Sequence, residues 1–167
     1  AADQAAFLRE NAEWLADFAL FMALKAHFSM AAFTGWPEDI RLREPSALAH
    51  YRGLLAEEEA FHAYLQYLFF RQWRGLKAYA GEKGVRLIGD LPIYVSLDYF
   101  TAEGQLWGNP IYDWEALAQS GYAWWLARIR GGTRLYDALR IDHFRGFESY
   151  WRVKAGEPTA RNGEWAP

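Results

Sequence analysis

Two short apolar runs, each ending in an aspartate, constrain the fold of this chain more than any other feature. Residues 85–90 follow a long helical pattern, and residues 138–142 follow two shorter ones. A helix followed by a short apolar strand is typical of a βα protein with a parallel sheet. The sequence therefore predicts an α/β fold in which Asp90 and Asp142 end their strands, where such sheets carry their chemistry.

The second run places an arginine and an aspartate on one face of its strand. Side chains alternate along a strand, so Arg140 and Asp142 project together and Ile141 projects from the opposite face. A guanidinium within about 4–6 Å lowers the pKa of a carboxyl and keeps it ionised. If buried, the pair would be costly without a use. It could act in catalysis, hold a metal or form a structural ion pair, and these interpretations are open at this point.

Helical periodicity dominates the N-terminal half of the chain. Apolar residues recur at spacings of three, four and seven over about residues 4–28 and again over about 46–80, and Asp3 is a predicted N-cap. Segment 33–37, which contains a proline, separates the two regions. We expect the inner stripe of the second region to consist of Leu54, Phe61, Leu65, Leu68, Phe69, Leu76 and Tyr79.

The region between the two predicted strands begins with a loop rich in aromatic residues and glycine, residues 92–113. Helices are predicted at about 114–118 and 122–130, and a Gly-Gly pair at 131–132 is expected to end the second one. After the second strand, 146–153 is predicted to be a loop or short element, and the last ten residues have no strong periodicity.

Composition narrows the classes of function. The net charge of −3 favours neither nucleic acid nor an anionic membrane as a partner, and the absence of cysteine excludes disulfide and thiol chemistry. The first residues lack the basic and apolar regions of a signal peptide, and no apolar run reaches the roughly 20 residues that a membrane-spanning helix needs. We therefore expect a cytoplasmic protein.

Aromatic residues make up 18% of the chain and include nine tryptophans. Exposed aromatic rings tend to mark binding surfaces. Sugar rings present apolar C–H faces that stack on such rings, so carbohydrate is one ligand class that this composition favours. The alternative is that the rings fill the core or face other parts of a larger protein.

Four segments, taken in order, carry a family resemblance. They are 69–73, 89–95, 104–110 and 140–147, of which the last, with its Arg-Ile-Asp-His-Phe-Arg-Gly run, is the most specific. Together they resemble the 4-α-glucanotransferases, also called amylomaltases or disproportionating enzymes. The resemblance extends over most of the chain. It implies the α-amylase-like fold, a (β/α)8 barrel with inserted subdomains.

The resemblance also implies a chemistry and a set of site residues. Family members transfer α-1,4-glucan segments between maltooligosaccharides by a retaining double displacement, with two carboxyl groups about 5–5.5 Å apart and no cofactor or metal. Asp142 matches the nucleophile and Arg140 its ion-pair partner. The other positions match substrate-binding residues: His143 near the donor sugar, Asp90 in the first short motif, and Tyr99, Phe100, Trp107 and Asn109 in the aromatic loop over the acceptor side.

The chain departs from the family pattern in two respects. The acid/base glutamate of the family would follow Pro167, and Glu148, Glu157 and Glu164 do not lie in its motif. The segment before residues 99–100 is also shorter by a few tens of residues. Because a complete barrel needs about 200 residues, we expect residues 1–167 to form one partial catalytic-barrel domain with about two barrel strands, a fragment or shortened homologue.

Several functions are compatible with this sequence. We expect a glucanotransferase chain that carries the nucleophile, needs the remainder of the barrel and is poorly active or inactive by itself. An α-glucan hydrolase on the same fold is one alternative, and a non-catalytic glucan-binding or structural remnant is another. The fourth is a helical interaction protein with no link to sugars.

Overall fold

The structure, a computed structural model, describes residues 2–93, 106, 109 and 111–166. The chain divides into two compact units, Ala1–Leu76 and Lys77–Pro167; the prediction of one partial-barrel domain stays a prediction. The helices are α1 (Ala2–Glu10), α2 (Ala12–His27), α3 (Glu38–Arg41), α4 (Pro45–Leu54), α5 (Ala56–Glu82), α6 (Trp114–Gln119) and α7 (Ala123–Leu135), and the strands are β1 (Ile88–Pro92), β2 (Ala138–Asp142), β3 (Tyr150–Val153) and β4 (Gly163–Ala166).

The first unit is helical, as predicted, but the helices break at other residues. The predicted helix over 4–28 is divided at Asn11, whose side-chain amide donates to the carbonyl of Phe7 at 2.9 Å. Asp3 was wrongly predicted as an N-cap, because α1 begins one residue earlier. The Asp3 carboxylate accepts a hydrogen bond from the Tyr67 hydroxyl at 2.9 Å. The second helical region is divided at Leu55.

Helix α5 buries a different face from the one predicted. Tyr67 is 7% exposed and packs with Phe7 and Leu15, and Ala63 and Phe70 join this cluster. These α5 residues lie at spacings of four and three, so they form a genuine helical stripe. One of the seven predicted stripe residues, Leu68, also packs on this cluster. The other six are more than 40% exposed: Leu54, Phe61, Leu65, Phe69, Leu76 and Tyr79.

The second unit contains the predicted parallel strand pair. β1 lies beside β2 in parallel, and α7 packs against both strands. β1 begins at Ile88, three residues later than predicted, so Asp90 lies in the middle of the strand, whereas Asp142 ends its strand as predicted. Two parallel strands connected through helices confirm the α/β fold class.

Helix α7 continues through the glycine pair that was expected to end it. Gly131 and Gly132 both lie inside the helix, which ends at Leu135. A methyl group built on Gly132 would lie 2.9 Å from the side chain of Leu139 in β2. The glycine therefore allows the helix to approach the strand closely, and its conformational freedom is not used to stop the helix.

A second strand pair was not predicted. β3 and β4 pair in antiparallel fashion, with Arg152 opposite Glu164 and Trp151 opposite Trp165. β4 lies entirely within the last ten residues of the sequence, which have no strong periodicity. Tyr150 and Ala166 are buried in one cluster with Leu91 of β1.

The core of the second unit lies against one face of the strands. Leu91 and Ile93 are buried with Trp125 of α7, and Ile141 packs on the same cluster. On the opposite face, Asp90, Arg140 and Asp142 are exposed, as the alternation along each strand predicts, and Pro92 is half-buried. This arrangement directs the charged side chains of β1 and β2 away from the core.

In the part of the chain that the structure describes, no helix combines the length and apolarity needed to cross a membrane.

Candidate active site

The register of the parallel pair brings the three predicted charged residues together. Asp90 lies directly opposite Arg140, and Pro92 lies directly opposite Asp142. Arg140 donates from Nε to Asp90 Oδ1 and from Nη2 to Asp90 Oδ2, both at 2.8 Å. The same Nη2 lies 3.5 Å from Asp142 Oδ1. The guanidinium therefore makes both of its short hydrogen bonds here with Asp90, and it makes one long contact with Asp142.

This charge distribution affects the two members of the bidentate pair. The pKa of Asp90 is lowered, chiefly by the hydrogen bond from Arg140. Desolvation raises this pKa in part, and the Coulombic attraction of Arg140 lowers it further. The pKa of Arg140 is raised, chiefly by its hydrogen bond to Asp90. Arg140 thus favours the ionised form of Asp90.

The three charged side chains of β1 and β2 are open to solvent. The side chains of Arg140, Asp90 and Asp142 are 67%, 50% and 55% exposed. The pair is therefore not buried, and the free-energy cost of burying it does not apply here. Exposed ion pairs contribute little stability, so stability alone gives a weak account of three charges at this position.

The carboxylate of Asp142 is accessible to solvent and only weakly held by its neighbours. It is the last residue of β2, and among the described residues its one ion pair is the 3.5 Å contact with Arg140. A contact of that length is a weak hydrogen bond. The oxygens of Asp142 consequently remain available to a ligand that approaches the strand end.

His143 is positioned by an uncommon backbone conformation. Its φ of 57° and ψ of 48° are left-handed, and it precedes a 3-10 turn over Phe144–Phe147. Its Nε2 is buried and has no hydrogen-bond partner among the described residues. Buried polar atoms without a partner are rare and costly. This nitrogen is therefore a candidate for a ligand hydroxyl.

The other four predicted site residues belong to the loop over 92–113. Tyr99, Phe100 and Trp107 lie outside the described residues, and Asn109 is half-buried. The three glutamates that were not assigned a role have local partners: Glu148 pairs with Arg145, Glu157 accepts from Asn162, and Glu164 pairs with Arg152.

Sequence reasoning missed two residues beside the site. Arg128 of α7 donates to the carbonyl of Pro92, and the Tyr112 hydroxyl donates to the carbonyl of Ile93. Tyr112 belongs to the aromatic loop over 92–113, and its residue type alone does not predict this contact. The available signal was the placement of Trp124 and Trp125 four and three residues before Arg128, a spacing that brings side chains together on a helix.

Comparison with protein families gives a clear assignment. The profile of glycoside hydrolase family 77, described as 4-alpha-glucanotransferase, matches residues 1–98 and 96–167. The chain belongs to this 4-alpha-glucanotransferase family. Because the two matches cover the whole chain, the predicted resemblance is confirmed at the level of the family.

Individual relatives agree with this assignment. The 4-alpha-glucanotransferase of Synechocystis is 45% identical over 98% of this chain and 38% of its own length, and that of Streptococcus pneumoniae serotype 4 is 45% identical over 95% and 37%. The amylomaltase of Streptococcus agalactiae, solved in complex with acarbose, has a TM-score of 0.89 and 41% identity, covering 98% of this chain and 39% of that one. The match confirms the fold as part of an amylomaltase-type barrel. The chain spans less than two fifths of these relatives.

The family comparison also agrees with the predicted shortening before residues 99–100. The two profile matches meet at residues 96–98. The alignment with the Synechocystis relative extends over 192 positions, more than the 167 residues of the chain, so at least 25 of those positions have no residue here.

Proposed function

We propose that this chain carries the nucleophile of a 4-α-glucanotransferase that acts on α-1,4-linked maltooligosaccharides, and that the nucleophile is Asp142. The observation that carries the proposal is the carboxylate at the end of β2, half exposed and held by one 3.5 Å contact from Arg140. Family membership supports the reaction class. The acarbose complex of the Streptococcus agalactiae amylomaltase supports an α-glucan as the ligand.

The proposed reaction is a double displacement with retention of configuration. An oxygen of Asp142 attacks the anomeric carbon, and the bond from that carbon to the glycosidic oxygen breaks. The leaving oxygen takes a proton from an acid/base carboxyl, which matches no glutamate of this chain and is expected from the remainder of the barrel. The hydroxyl of a second glucan then attacks the anomeric carbon, gives its proton to that base and releases Asp142.

The different contacts that Arg140 makes with Asp90 and Asp142 suit this reaction. Asp90 accepts two hydrogen bonds from the guanidinium and thereby fixes its orientation. Because the contact to Asp142 is long, it leaves the electron density of the attacking oxygen largely uncommitted.

The other predicted residues have proposed roles on the two sides of the reacting bond. The buried and unpartnered Nε2 of His143 suits a hydrogen bond with a hydroxyl of the donor sugar. Asp90 acts through Arg140 in this proposal. Tyr99, Phe100, Trp107 and Asn109 are proposed to hold the acceptor, where aromatic stacking would favour a sugar over water.

A fluorinated maltosyl donor, which traps the covalent intermediate of retaining enzymes, tests the assignment. The label is expected on Asp142 in peptide mass spectrometry when the remainder of the barrel is supplied, and the Asp142→Asn variant is expected to carry none. Glu164→Gln is the matched control and should label like the wild type. A label on another carboxylate, or none on Asp142, would contradict the proposal.

A second candidate function is a chain that binds glucan without catalysis. Among the described residues, the one other carboxylate of the group, Asp90, is engaged by Arg140, and this observation favours the second candidate. Glucan-dependent tryptophan fluorescence without labelling of Asp142 would support it. Product analysis separates transfer from hydrolysis, since hydrolysis alone raises the number of reducing ends.

The isolated chain is expected to be poorly active, and we propose a cytoplasmic location. Robust disproportionation of maltotriose by the purified 167-residue chain would contradict the first expectation. Fractionation of cells with an antibody to the chain would test the second.

A further inference from the structure

The backbone at the end of β1 is held by side chains that do not belong to the strands. Arg128 donates from Nη2 to the carbonyl of Pro92 at 2.5 Å and from Nη1 to the Tyr112 hydroxyl at 3.3 Å. The Tyr112 hydroxyl in turn donates to the carbonyl of Ile93 at 2.7 Å. Two consecutive carbonyls at the strand end are thus bound by one connected pair of side chains.

Aromatic rings fix the guanidinium of Arg128. Its central carbon lies 5.3 Å from the ring centroid of Trp124 and 5.1 Å from that of Trp125. The Tyr112 ring lies 5.7 and 5.3 Å from the same two rings. Trp125 is 5% exposed and packs in the core with Ile93. A guanidinium this close to two indole rings is both oriented and attracted by them.

The carbonyl that Arg128 binds belongs to a critical position of the sheet. Pro92 is the residue directly opposite Asp142 in the parallel pair. Proline has no N–H group and cannot donate to the neighbouring strand. The position of the β1 backbone opposite the proposed nucleophile therefore depends more than usual on contacts made from outside the sheet.

We propose that Arg128 is a positioning residue for Asp142. It holds the β1 backbone at Pro92 and so keeps Asp142, Arg140 and Asp90 in register across the two strands. The two arginines then have separate tasks, because Arg140 orients carboxylates and Arg128 fixes the strand that faces them. This inference rests on the proposed function of Asp142.

Lysine cannot replace arginine in this role. The guanidinium is planar and presents several N–H groups in a rigid fork, whereas an ammonium is a compact, strongly hydrated charge. Arg128→Lys therefore keeps the charge but loses the simultaneous contacts with Pro92, Tyr112 and the two indole rings. Arg130→Lys, at an exposed position on the same helix, is the matched control.

Two measurements test the proposal. Carboxyl NMR reports the pKa of Asp90, which the hydrogen bond from Arg140 lowers. In Arg128→Lys this pKa should rise toward its ordinary value, because the register of Asp90 and Arg140 is lost. The rate at which the fluorinated maltosyl donor labels Asp142, with the remainder of the barrel supplied, should fall about 10-fold or more, as expected for a small misplacement of reacting groups. Arg130→Lys should match the wild type in both.

A second variant covers the case in which Arg128→Lys does not fold. Tyr112→Phe keeps the ring and removes the hydroxyl that accepts from Arg128 and donates to Ile93. It should shift both measurements in the same direction by a smaller amount. Wild-type values in a folded Arg128→Lys, or in Tyr112→Phe, would overturn the proposal. A wild type that never labels would overturn the proposed function, while the pKa of Asp90 would still decide whether Arg128 sets the register.

Discussion

The two strand pairs of the second unit share the same local construction. In β1–β2, Arg140 lies opposite Asp90 and donates to its carboxylate; in β3–β4, Arg152 does the same to Glu164. Each cross-strand pair is exposed, and in each the pKa of the carboxyl is lowered by the arginine. An arginine–carboxylate pair on a strand is therefore ordinary scaffolding in this molecule.

The two strand pairs differ because a third charged residue lies beside the Arg140–Asp90 pair. Beside the Arg140–Asp90 pair lies Asp142, a carboxylate with one long contact to the same guanidinium. In the β3–β4 pair the guanidinium of Arg152 has one carboxylate partner among the described residues, Glu164. The two pairs therefore differ in one feature: a weakly held carboxylate lies next to the Arg140–Asp90 pair, and that carboxylate is the proposed nucleophile.

The largest expected effect comes from removing Arg140, and removal of Arg152 is the matched comparison. Arg140→Ala leaves two neighbouring carboxylates without their cation, so labelling of Asp142 by the fluorinated maltosyl donor should fall about 100-fold or more, the usual scale for loss of one preorganised electrostatic group. Arg152→Ala should label at the wild-type rate. Equal rates for the two variants would remove the distinction between the strand pairs.

The next effect concerns a second shared feature, a glycine covered by an aromatic ring. A methyl group on Gly89 would lie 2.0 Å from the ring of Tyr136, and one on Gly163 would lie 2.2 Å from the ring of Trp151. Gly89→Ala and Gly163→Ala should each lower the free energy of unfolding by about 1–3 kcal/mol, the cost of overpacking.

Urea unfolding followed by circular dichroism measures these changes. Gly131→Ala is the control, because a methyl group there meets no atom within 4 Å. Alanine at this helical position should raise stability by up to about 1 kcal/mol. Destabilisation by Gly131→Ala as large as that of Gly89→Ala would contradict the packing explanation.

The smallest effect is the dependence of stability on acid. The pKa values of Asp90 and Glu164 are lowered from 3.8 and 4.5, so each ionised carboxylate stabilises the fold above those values, and the contribution is lost as pH falls through the lower pKa of the folded state. Asp90→Asn and Glu164→Gln should each make stability depend less on pH below about 4.

The two variants should differ in size. When Asp90 is neutralised, Arg140 can turn to Asp142, which replaces part of the lost pairing; Arg152 has no such neighbour among the described residues. Asp90→Asn should therefore remove less of the acid dependence than Glu164→Gln does. Thermal melting between pH 3 and pH 6 provides the measurement, and the opposite order would count against a shared guanidinium.

The strand pairs also differ in how far the sequence predicted them. β1 and β2 were predicted because each is a short apolar run that follows a helical pattern and ends in an aspartate, a local signal. The four residues of β4 contain a glycine and a tryptophan, and their pairing with β3 depends on contacts across an irregular connection. A hairpin without a short turn signal gives local pattern analysis little to detect.

Helix α5 illustrates a second limit of the sequence. Its period was predicted correctly, but its buried face was not, because aromatic and aliphatic residues occur on more than one face. Periodicity identifies a stripe only when the remaining faces are polar. The stripe that contains Tyr67 was therefore indistinguishable in advance from the exposed stripe that contains Phe61 and Leu65.

In the candidate site, the sequence supplied candidate residues, whereas their mutual contacts became visible only in the structure. Asp142, Arg140 and His143 were chosen from a strand pattern and a family resemblance. Asp90 is 50 residues from Arg140 in sequence, so only the register shows that the fork belongs to Asp90. Arg128 was missed because its role depends on which carbonyl lies beside it.

The backbone of His143 has a consequence for how this sequence could change under selection. A left-handed residue other than glycine costs about 1–2 kcal/mol, and the buried Nε2 without a partner among the described residues adds to that cost. A population of variants selected for heat resistance alone should accumulate His143→Gly and His143→Asn. Because His143 is proposed to bind the donor sugar, a population selected for growth on maltooligosaccharides should retain the histidine. Position 143 would then record which of the two pressures a lineage has experienced.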